Sequence, residues 1–357
     1  MPGWTTDTPT RRRTFARRLH PPHRTRTSMS TSNYLGYALQ RLAQALVVVA
    51  LAYILTFLII NVLPGDPISN MLLDPENGFS RQDVAPIIAY YGLDKPISAQ
   101  LWIALSRFVT GDLGISLRSS LPVSGLVLDA LPSTLILAAS ALSVALVLAF
   151  LIALASQNLP RKYGQGLVRL LPAASLSIPS FIIGIFLIQV FAFQFGLFRI
   201  TNPDTFAATA FAALALGVPV SAQIAEVLVT NLDHEARQEY FSVARSRSLS
   251  RIELFTYHQL RPSSLPLITM IALAVGELLG GSLVTEAIFG RSGIGSLVQG
   301  AVSMQDYPVI QAVVSLAATV FVAVNLLADL AYPLLDPRLR ADRRGQTSLN
   351  EAEVAPE

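Results

Sequence analysis

Glu277, Glu286 and Asp329 are acidic side chains that lie within or at the ends of long apolar segments. An acid in hydrocarbon costs roughly 2.5–3.5 kcal/mol even on insertion scales, so such residues are candidates for function. Glu277 lies near the middle of its segment, just before Gly280 and Gly281. It can face a polar pathway and contact a cationic or amine group, or it can form a hydrogen bond between helices. For Glu286 and Asp329, near segment ends, we expect structural roles.

The composition excludes several other kinds of site. The sequence has no cysteine, which removes disulfides, thiolate metal sites, iron–sulfur clusters and cysteine nucleophiles. Its lysines are Lys95 and Lys162, and neither ends a GxxxxGK(S/T) run, the loop that holds ATP phosphates. We therefore expect no cofactor on this chain, and any ATP-driven step must use another subunit.

The elements that position these residues are apolar and long. Hydrophobic residues make up 52% of the sequence and charged residues 14%, against about 25% charge in soluble domains. Six stretches approach the ~20 residues needed to span hydrocarbon, at 38–63, 134–156, 167–195, 206–230, 264–289 and 308–334. The fourth is the weakest, because it is rich in alanine and contains Gly217 and Pro219. The pattern predicts an all-α polytopic membrane protein with six transmembrane helices.

The distribution of lysine and arginine predicts the orientation, because cytoplasmic loops are enriched in both. These residues concentrate in the arm 1–33, in the loop after the second stretch, in the loop 231–263 and near the C-terminus. Both termini are therefore expected in the cytoplasm. We expect 1–33 to be a disordered basic arm, 34–340 to form the transmembrane domain and 341–357 to be a disordered tail.

The first external loop, 64–133, is too long for a simple connector and should contain short helices. Ser80 and Asp83 have the spacing of a capping box at a helix start. Pro96 can open a second helix, because proline suits the first turn. We expect a small external subdomain or an interfacial helix pair.

A charged segment, 239–266, separates the fourth and fifth apolar stretches on the predicted cytoplasmic side. Tyr240, Val243 and Ala244 have the spacing of residues on one face of a helix. The segment can be a shaped element that a partner binds. It can also be a solvated amphipathic loop held on the inner leaflet by its arginines.

A second helix is expected in the same segment. Ser250 and Glu253 form a plausible capping box at its start. It should end near Arg261, because Pro262 disfavours helical geometry in the residue before it. The two helices predict a helix–turn–helix hairpin.

This segment resembles the "EAA" coupling loop of permease subunits of peptide/nickel-type ABC importers. The matching positions are Glu239, Tyr240, Ala244, Arg245, Leu249, Ser250, His258, Leu260 and Pro266. Ser248 stands where the family has its coupling glycine, and Pro262 where it has asparagine. A left-handed backbone at Ser248 would cost ~1–2 kcal/mol.

Further signatures of this family follow in order along most of the chain. They are PGDP at 64–67, GLDKP at 92–96, GDLGIS at 111–116, Glu286 and Phe289 with GIG at 293–295, DYP at 306–308 and LDPR at 335–338. Each is weak alone, but their order and spacing make the resemblance specific.

The resemblance implies a multi-pass permease subunit of the bacterial inner membrane, with the type I importer fold and no enzymatic activity. Its coupling loop 231–263 would dock on cytoplasmic ABC ATPase subunits, which use the ATP. A second permease subunit would complete the pathway as a heterodimer. A periplasmic or lipid-anchored solute-binding protein would dock on the external loop, where Asp66, Asp94 and Asp112 are candidate contacts. The solute would be peptide-like or a related small molecule; membrane lipid is the remaining partner, and no metal or nucleic acid is expected.

Two rival functions are compatible with the residues. An ion-coupled secondary transporter would use Glu277 for its coupling ion and would show internal repeats. A membrane scaffold would have no effect on solute accumulation. The importer permease is favoured, because the family signatures extend from the first apolar stretch to the last.

Overall fold

The computed structural model describes residues 31–62, 81–160, 164–247 and 249–335. These residues are mostly helical, which confirms the predicted all-α polytopic fold. In chain order the helices are α1 (Thr31–Val62), α2 (Arg81–Tyr91), α3 (Ile97–Thr110), α4 (Val123–Asn158), α5 (Gln165–Leu176), α6 (Ser180–Leu187), α7 (Phe206–Ala236), α8 (Glu239–Ser246), α9 (Arg251–Glu253), α10 (Ser264–Phe289), α11 (Ile294–Ser303) and α12 (Tyr307–Leu335). Helix α6 continues as a π-helix over Ile188–Gln194, and α9 over Leu254–Leu260. Residues 31–33 of the predicted arm belong to α1, and the rest of that arm and the tail 341–357 lie outside the described residues.

Five helices are individually long and apolar enough to span a membrane. They are Gly36–Asn61, Val123–Asn158, Phe206–Ala236, Pro266–Phe289 and Tyr307–Leu330, and they match five of the six predicted stretches. The third predicted stretch, 167–195, is a pair of helices with a bend between them and not one straight helix. Helices α5 and α6 meet at an angle of 99°, because Pro179 adopts an extended ψ of 141° before α6 and disfavours helical geometry in the residue before it. Counted as one broken span, the pair brings the total to six.

Helix α7 is the centre of the bundle, although its sequence is the weakest of the predicted spans. It runs unbroken through Gly217 and Pro219, and 61% of its most apolar window is buried. Its small side chains let neighbouring helices approach closely. At Gly217 an added Cβ would lie 2.7 Å from the carbonyl oxygen of Ala141 on α4. Alanine lowers the apparent hydropathy of this helix and at the same time makes it suitable for the interior.

Polar contacts fasten the ends of the spans. Arg169 on α5 donates two hydrogen bonds, of 2.7 and 2.9 Å, to the carboxylate of Asp233 on α7. Helix α7 therefore extends beyond residue 230, and the predicted loop 231–263 begins as part of it. Arg41 on α1 forms an ion pair of 3.3 Å with Asp329 on α12. The structural role expected for Asp329 is confirmed.

Helices α2 and α3 lie between the first two spans, in the segment predicted to be the external subdomain. Pro96 is the N-cap of α3, as predicted. The predicted capping box at Ser80 lies outside the described residues. Helix α4 begins at Val123, so the last part of the predicted loop 64–133 belongs to that helix.

Candidate functional site

The polar hairpin, residues 239–260, consists of α8 and the second arm formed by α9 and its π-helical continuation. Helix α8 has Glu239 in its first turn and Arg245 in its last turn. Each charge is opposite in sign to the helix dipole at its end and therefore stabilises the helix. The second arm stops at Leu260, and α10 begins at Ser264. The predicted end near Arg261 is therefore confirmed.

A capping box starts the second arm, as the sequence predicts. The backbone N–H of Glu253 donates to the Ser250 hydroxyl at 3.2 Å, and the N–H of Ser250 donates to the Glu253 carboxylate at 2.9 Å. The backbone N–H and the hydroxyl of Ser250 both donate to the Glu253 carboxylate, and they lower the pKa of Glu253 because they favour its charged form. Two reciprocal hydrogen bonds between Ser250 and Glu253 therefore stabilise the start of the second arm.

Tyr240 ties the hairpin to the membrane helices. Its single hydroxyl proton is shared between two acceptors, the carboxylate of Glu235 at the end of α7 and, at 3.2 Å, the carbonyl oxygen of His258 in the second arm. Ser263, just before α10, donates its hydroxyl to the carbonyl oxygen of Gln259 in the second arm at 2.8 Å. Both arms are therefore fixed to the helices that enter the bundle.

The hairpin exposes apolar side chains that the described residues of the chain leave uncovered. Of the three residues predicted to share a face, Ala244 is buried and Tyr240 and Val243 are exposed. Ile252 is 76% exposed and Tyr257 is 65% exposed. The hairpin's surface is thus suited to packing against another molecule.

The other predicted residues of this segment occupy different environments. Arg245 is exposed and Leu249 is half-buried. His258 is half-buried, and its Nδ1 is buried without a hydrogen-bond partner within the described ranges. Pro266 lies in the first turn of α10, and Ser248 lies outside the described residues.

Glu277 opens onto a cleft between α6, α7 and α10. Its carboxylate accepts a hydrogen bond of 3.1 Å from the Gln223 amide on α7, and its side chain is otherwise exposed. The cleft, of about 580 Å³, is also lined by Pro179 at the break between α5 and α6 and by Pro219 on α7. Broken helices near the bilayer midplane commonly mark substrate sites in transporters. Glu277 therefore forms the hydrogen bond between helices that was one of its two predicted roles, and the polar pathway stays a prediction that its exposed side chain allows.

Comparison with known proteins identifies the group to which this architecture belongs. Residues 145–341, more than half of the chain, match the family described as the inner membrane component of binding-protein-dependent transport systems. The chain belongs to this family. It is also 30% identical over 306 residues to the glutathione transport system permease protein GsiC of Shigella flexneri, covering 86% of this chain and 99% of the relative. The protein of the same name from Salmonella typhimurium is 31% identical over the same coverage.

The chain is therefore a permease subunit of a binding-protein-dependent importer and a multi-pass protein of the bacterial inner membrane. Its motif of Glu286 followed by GIG at 293–295 has a physical explanation in the fold. Glu286 is fully buried, and its two carboxylate oxygens accept bonds from the Thr134 hydroxyl at 2.6 Å and the Gly295 N–H at 2.7 Å. Thr134 in turn accepts from the Ile294 N–H at 2.8 Å.

This permease therefore caps the start of α11 with side chains from two other helices. A helix N-terminus has unpaired N–H groups and a positive dipole end, and both favour a carboxylate there. A side chain at Gly293 would collide with the Glu286 carboxylate. The structural role expected for Glu286 is confirmed.

The external signatures of the permease contact one another. Asp306 is buried and accepts bonds from the Ser116 hydroxyl and, at 3.1 Å, from the Leu117 N–H. Residues of the GDLGIS and DYP motifs therefore hold the external loop against the start of α12.

The proposed docking aspartates have different surroundings. Asp112 accepts bonds from the Tyr90 hydroxyl at 2.9 Å and the Gly114 N–H at 3.0 Å, and lies 3.8 Å from Arg107. Burial and the bond to Asp112 raise the pKa of Tyr90. Asp94 is exposed, and Asp66 lies outside the described residues.

Several functional contacts of the permease were missed from the sequence. Thr134 and Gln223 are ordinary polar residues in apolar helices, and their partners lie far away along the chain. Asp306 was noted as part of a motif, but its pairing with Ser116 joins two helical regions that the sequence does not relate. For Thr134 and Gln223, the sequence offered one signal, which is a polar residue inside an apolar stretch.

Proposed function

We propose that this chain is half of the translocation pathway of an ATP-driven importer and that its polar hairpin docks on a separate cytoplasmic ATPase. The observation that carries the proposal is the hairpin's set of exposed apolar side chains, on an element anchored at both ends. An uncovered group of this kind is typical of a protein interface. The anchoring through Tyr240 favours a docking element over a loose loop on the lipid surface.

The hairpin connects α7 directly with α10, the two helices whose Gln223 and Glu277 meet at the cleft. Movement of the hairpin by an ATPase would shift the ends of both helices together. The contact between Gln223 and Glu277 would then change with the nucleotide state. Glu277 would line the pathway, and its carboxylate would contact a cationic or amine group of the solute.

The remaining partners follow from the family. A second permease subunit, forming a heterodimer, would supply the other half of the pathway. A periplasmic or lipid-anchored solute-binding protein would dock on the external subdomain and the loop before it, with Asp66, Asp94 and Asp112 as candidate contacts. The solute would be peptide-like, in keeping with the relatives named for glutathione transport. This chain would perform no chemical reaction, and ATP would be bound only by the ATPase.

The test separates the hairpin from the rest of the chain. Val243→Glu combined with Ile252→Glu places two charges on the exposed hairpin surface, and Val302→Glu on α11 is the matched control, since Val302 is also exposed. We expect the hairpin variant to lose co-purification with the ATPase and solute uptake, and the control to keep both. Unchanged association of the hairpin variant would contradict the assignment.

Glu277 provides the test against an ion-coupled transporter. Glu277→Gln should reduce uptake of an amine-bearing solute while the ATPase stays bound and active. In an ion-coupled transporter, uptake would continue in proteoliposomes that contain no ATPase and would stop when the ion gradient is dissipated.

A further inference from the structure

Helix α3 of the external subdomain carries apolar side chains on its protein-facing side and on its exposed side. Its protein-facing side carries Ile103 and Phe108, which line a cleft together with Arg107. Its open side carries Trp102, which is 72% exposed, and Val109, which is 78% exposed, with the half-buried Leu105 between them. Residues at these spacings share one face of a helix. We call Trp102, Leu105 and Val109 the outer face of α3.

The depth of α3 is set by its contacts with α1. The Tyr53 hydroxyl donates to the carbonyl oxygen of Ala104 at 3.0 Å, and the ring of Tyr53 stacks on Phe108 at a centroid distance of 4.5 Å. At 1.5 Å per residue, Tyr53 lies about 12 Å below the outer end of the Gly36–Asn61 span.

That depth places α3 beside the apolar part of α1. The 26-residue span is about 39 Å long, against ~30 Å of hydrocarbon, so Tyr53 lies inside the apolar layer. The same part of α1 exposes Leu55 and Ile59. The outer face of α3 therefore continues a surface that already faces lipid.

We propose that α3 is an interfacial helix whose outer face lies in the outer leaflet of the membrane. Tryptophan is enriched at this level of the bilayer, because its ring is amphipathic. Lipid contact explains why Arg107 points toward the protein and meets Asp112 and Tyr90, where its guanidinium lies 3.8 Å from the ring centroid. The outer face of α3 would hold the external subdomain at a fixed depth in the membrane. The hydrogen bond between Asp306 and Ser116 connects this subdomain with the start of α12.

Tryptophan fluorescence tests the proposal with little perturbation, because the sequence contains just Trp4 and Trp102. Trp4→Phe leaves Trp102 as the single probe in the full chain, reconstituted with its partner subunits in phosphatidylcholine vesicles. We expect lipids brominated near the headgroup to quench Trp102 more than lipids brominated near the chain ends, and acrylamide in the water to quench it weakly. The matched control carries Asp94→Trp with both natural tryptophans replaced by phenylalanine, and should show the opposite preference.

Two results would overturn the proposal. Strong quenching by acrylamide without quenching by lipid would place the outer face in water. Resistance to both quenchers in the assembled complex would place it against a protein partner. A second probe does not depend on tryptophan: since the chain has no cysteine, a spin label on Val109→Cys should be more accessible to oxygen than to a water-soluble nickel chelate.

Discussion

Removal of the Glu286 carboxylate should uncouple the start of α11 from the bundle. Glu286→Ala leaves the buried N–H of Gly295 and the hydroxyl of Thr134 without their acceptor. Each buried donor without a partner costs about 1–3 kcal/mol. The Thr134 hydroxyl can turn to a carbonyl of its own helix, and the free energy of unfolding then falls by at least about 1 kcal/mol. If both donors stay unpaired, it falls by up to about 6 kcal/mol.

Two companion variants make this prediction sharper. Glu286→Gln keeps the size and one oxygen, so it should cost less than the alanine variant. Ser282→Ala is the control, because Ser282 is buried on the same helix and its hydroxyl donates to Leu279 of that helix at 2.8 Å. Equilibrium unfolding in mixed micelles, with rising dodecyl sulfate, measures all three. Equal stability of the Glu286→Ala and Ser282→Ala proteins would refute the capping role.

Other changes have equally specific outcomes. Gly217→Ala should destabilise the chain by about 1–3 kcal/mol through overpacking against α4, whereas Gly280→Ala, with nothing within 4 Å of its new methyl, should not; the same unfolding titration distinguishes them. Ser250→Ala should weaken the start of the second hairpin arm by about 1 kcal/mol, which amide hydrogen exchange over residues 251–253 would detect as faster exchange. Because folding lowers the pKa of Glu253, its share of the cap is complete at neutral pH and is lost as the pH falls through that lowered value. Protection of these amides, corrected for intrinsic exchange, should therefore fall on acidification, and Glu253→Gln should abolish this step. Asp306→Asn leaves one of two donors in the external loop without its acceptor, so limited proteolysis between residues 111 and 122 should become faster.

Local signals were read correctly from the sequence because they act over a few residues. The capping box of Ser250 with Glu253 and the helix start at Pro96 depend on neighbours along the chain, and both are present. The apolar stretches also predict five of the spans, since length and hydropathy decide membrane insertion.

Features that depend on packing could not be predicted in the same way. The angle of 99° between α5 and α6 is a property of how the two helices pack, and the sequence shows only the proline at which the helix breaks. Helix α7 looked weak because alanine is less hydropathic than leucine, and its central place follows from the close approach at Gly217. In the site, the partner of Glu277 and the partners of Glu286 lie on other helices, so the sequence shows that an acid is present and does not show what satisfies it.

Site-specific cross-linking from the polar hairpin tests the central claim most directly. The cysteine-free chain allows a photoreactive label on Ile252→Cys, and Leu128→Cys provides an exposed control at the other end of the bundle. In the assembled transporter, the account predicts that the label at Ile252 forms an adduct with the cytoplasmic ATPase and the label at Leu128 does not. An adduct from Leu128, or none from Ile252 while the complex remains intact, would contradict it.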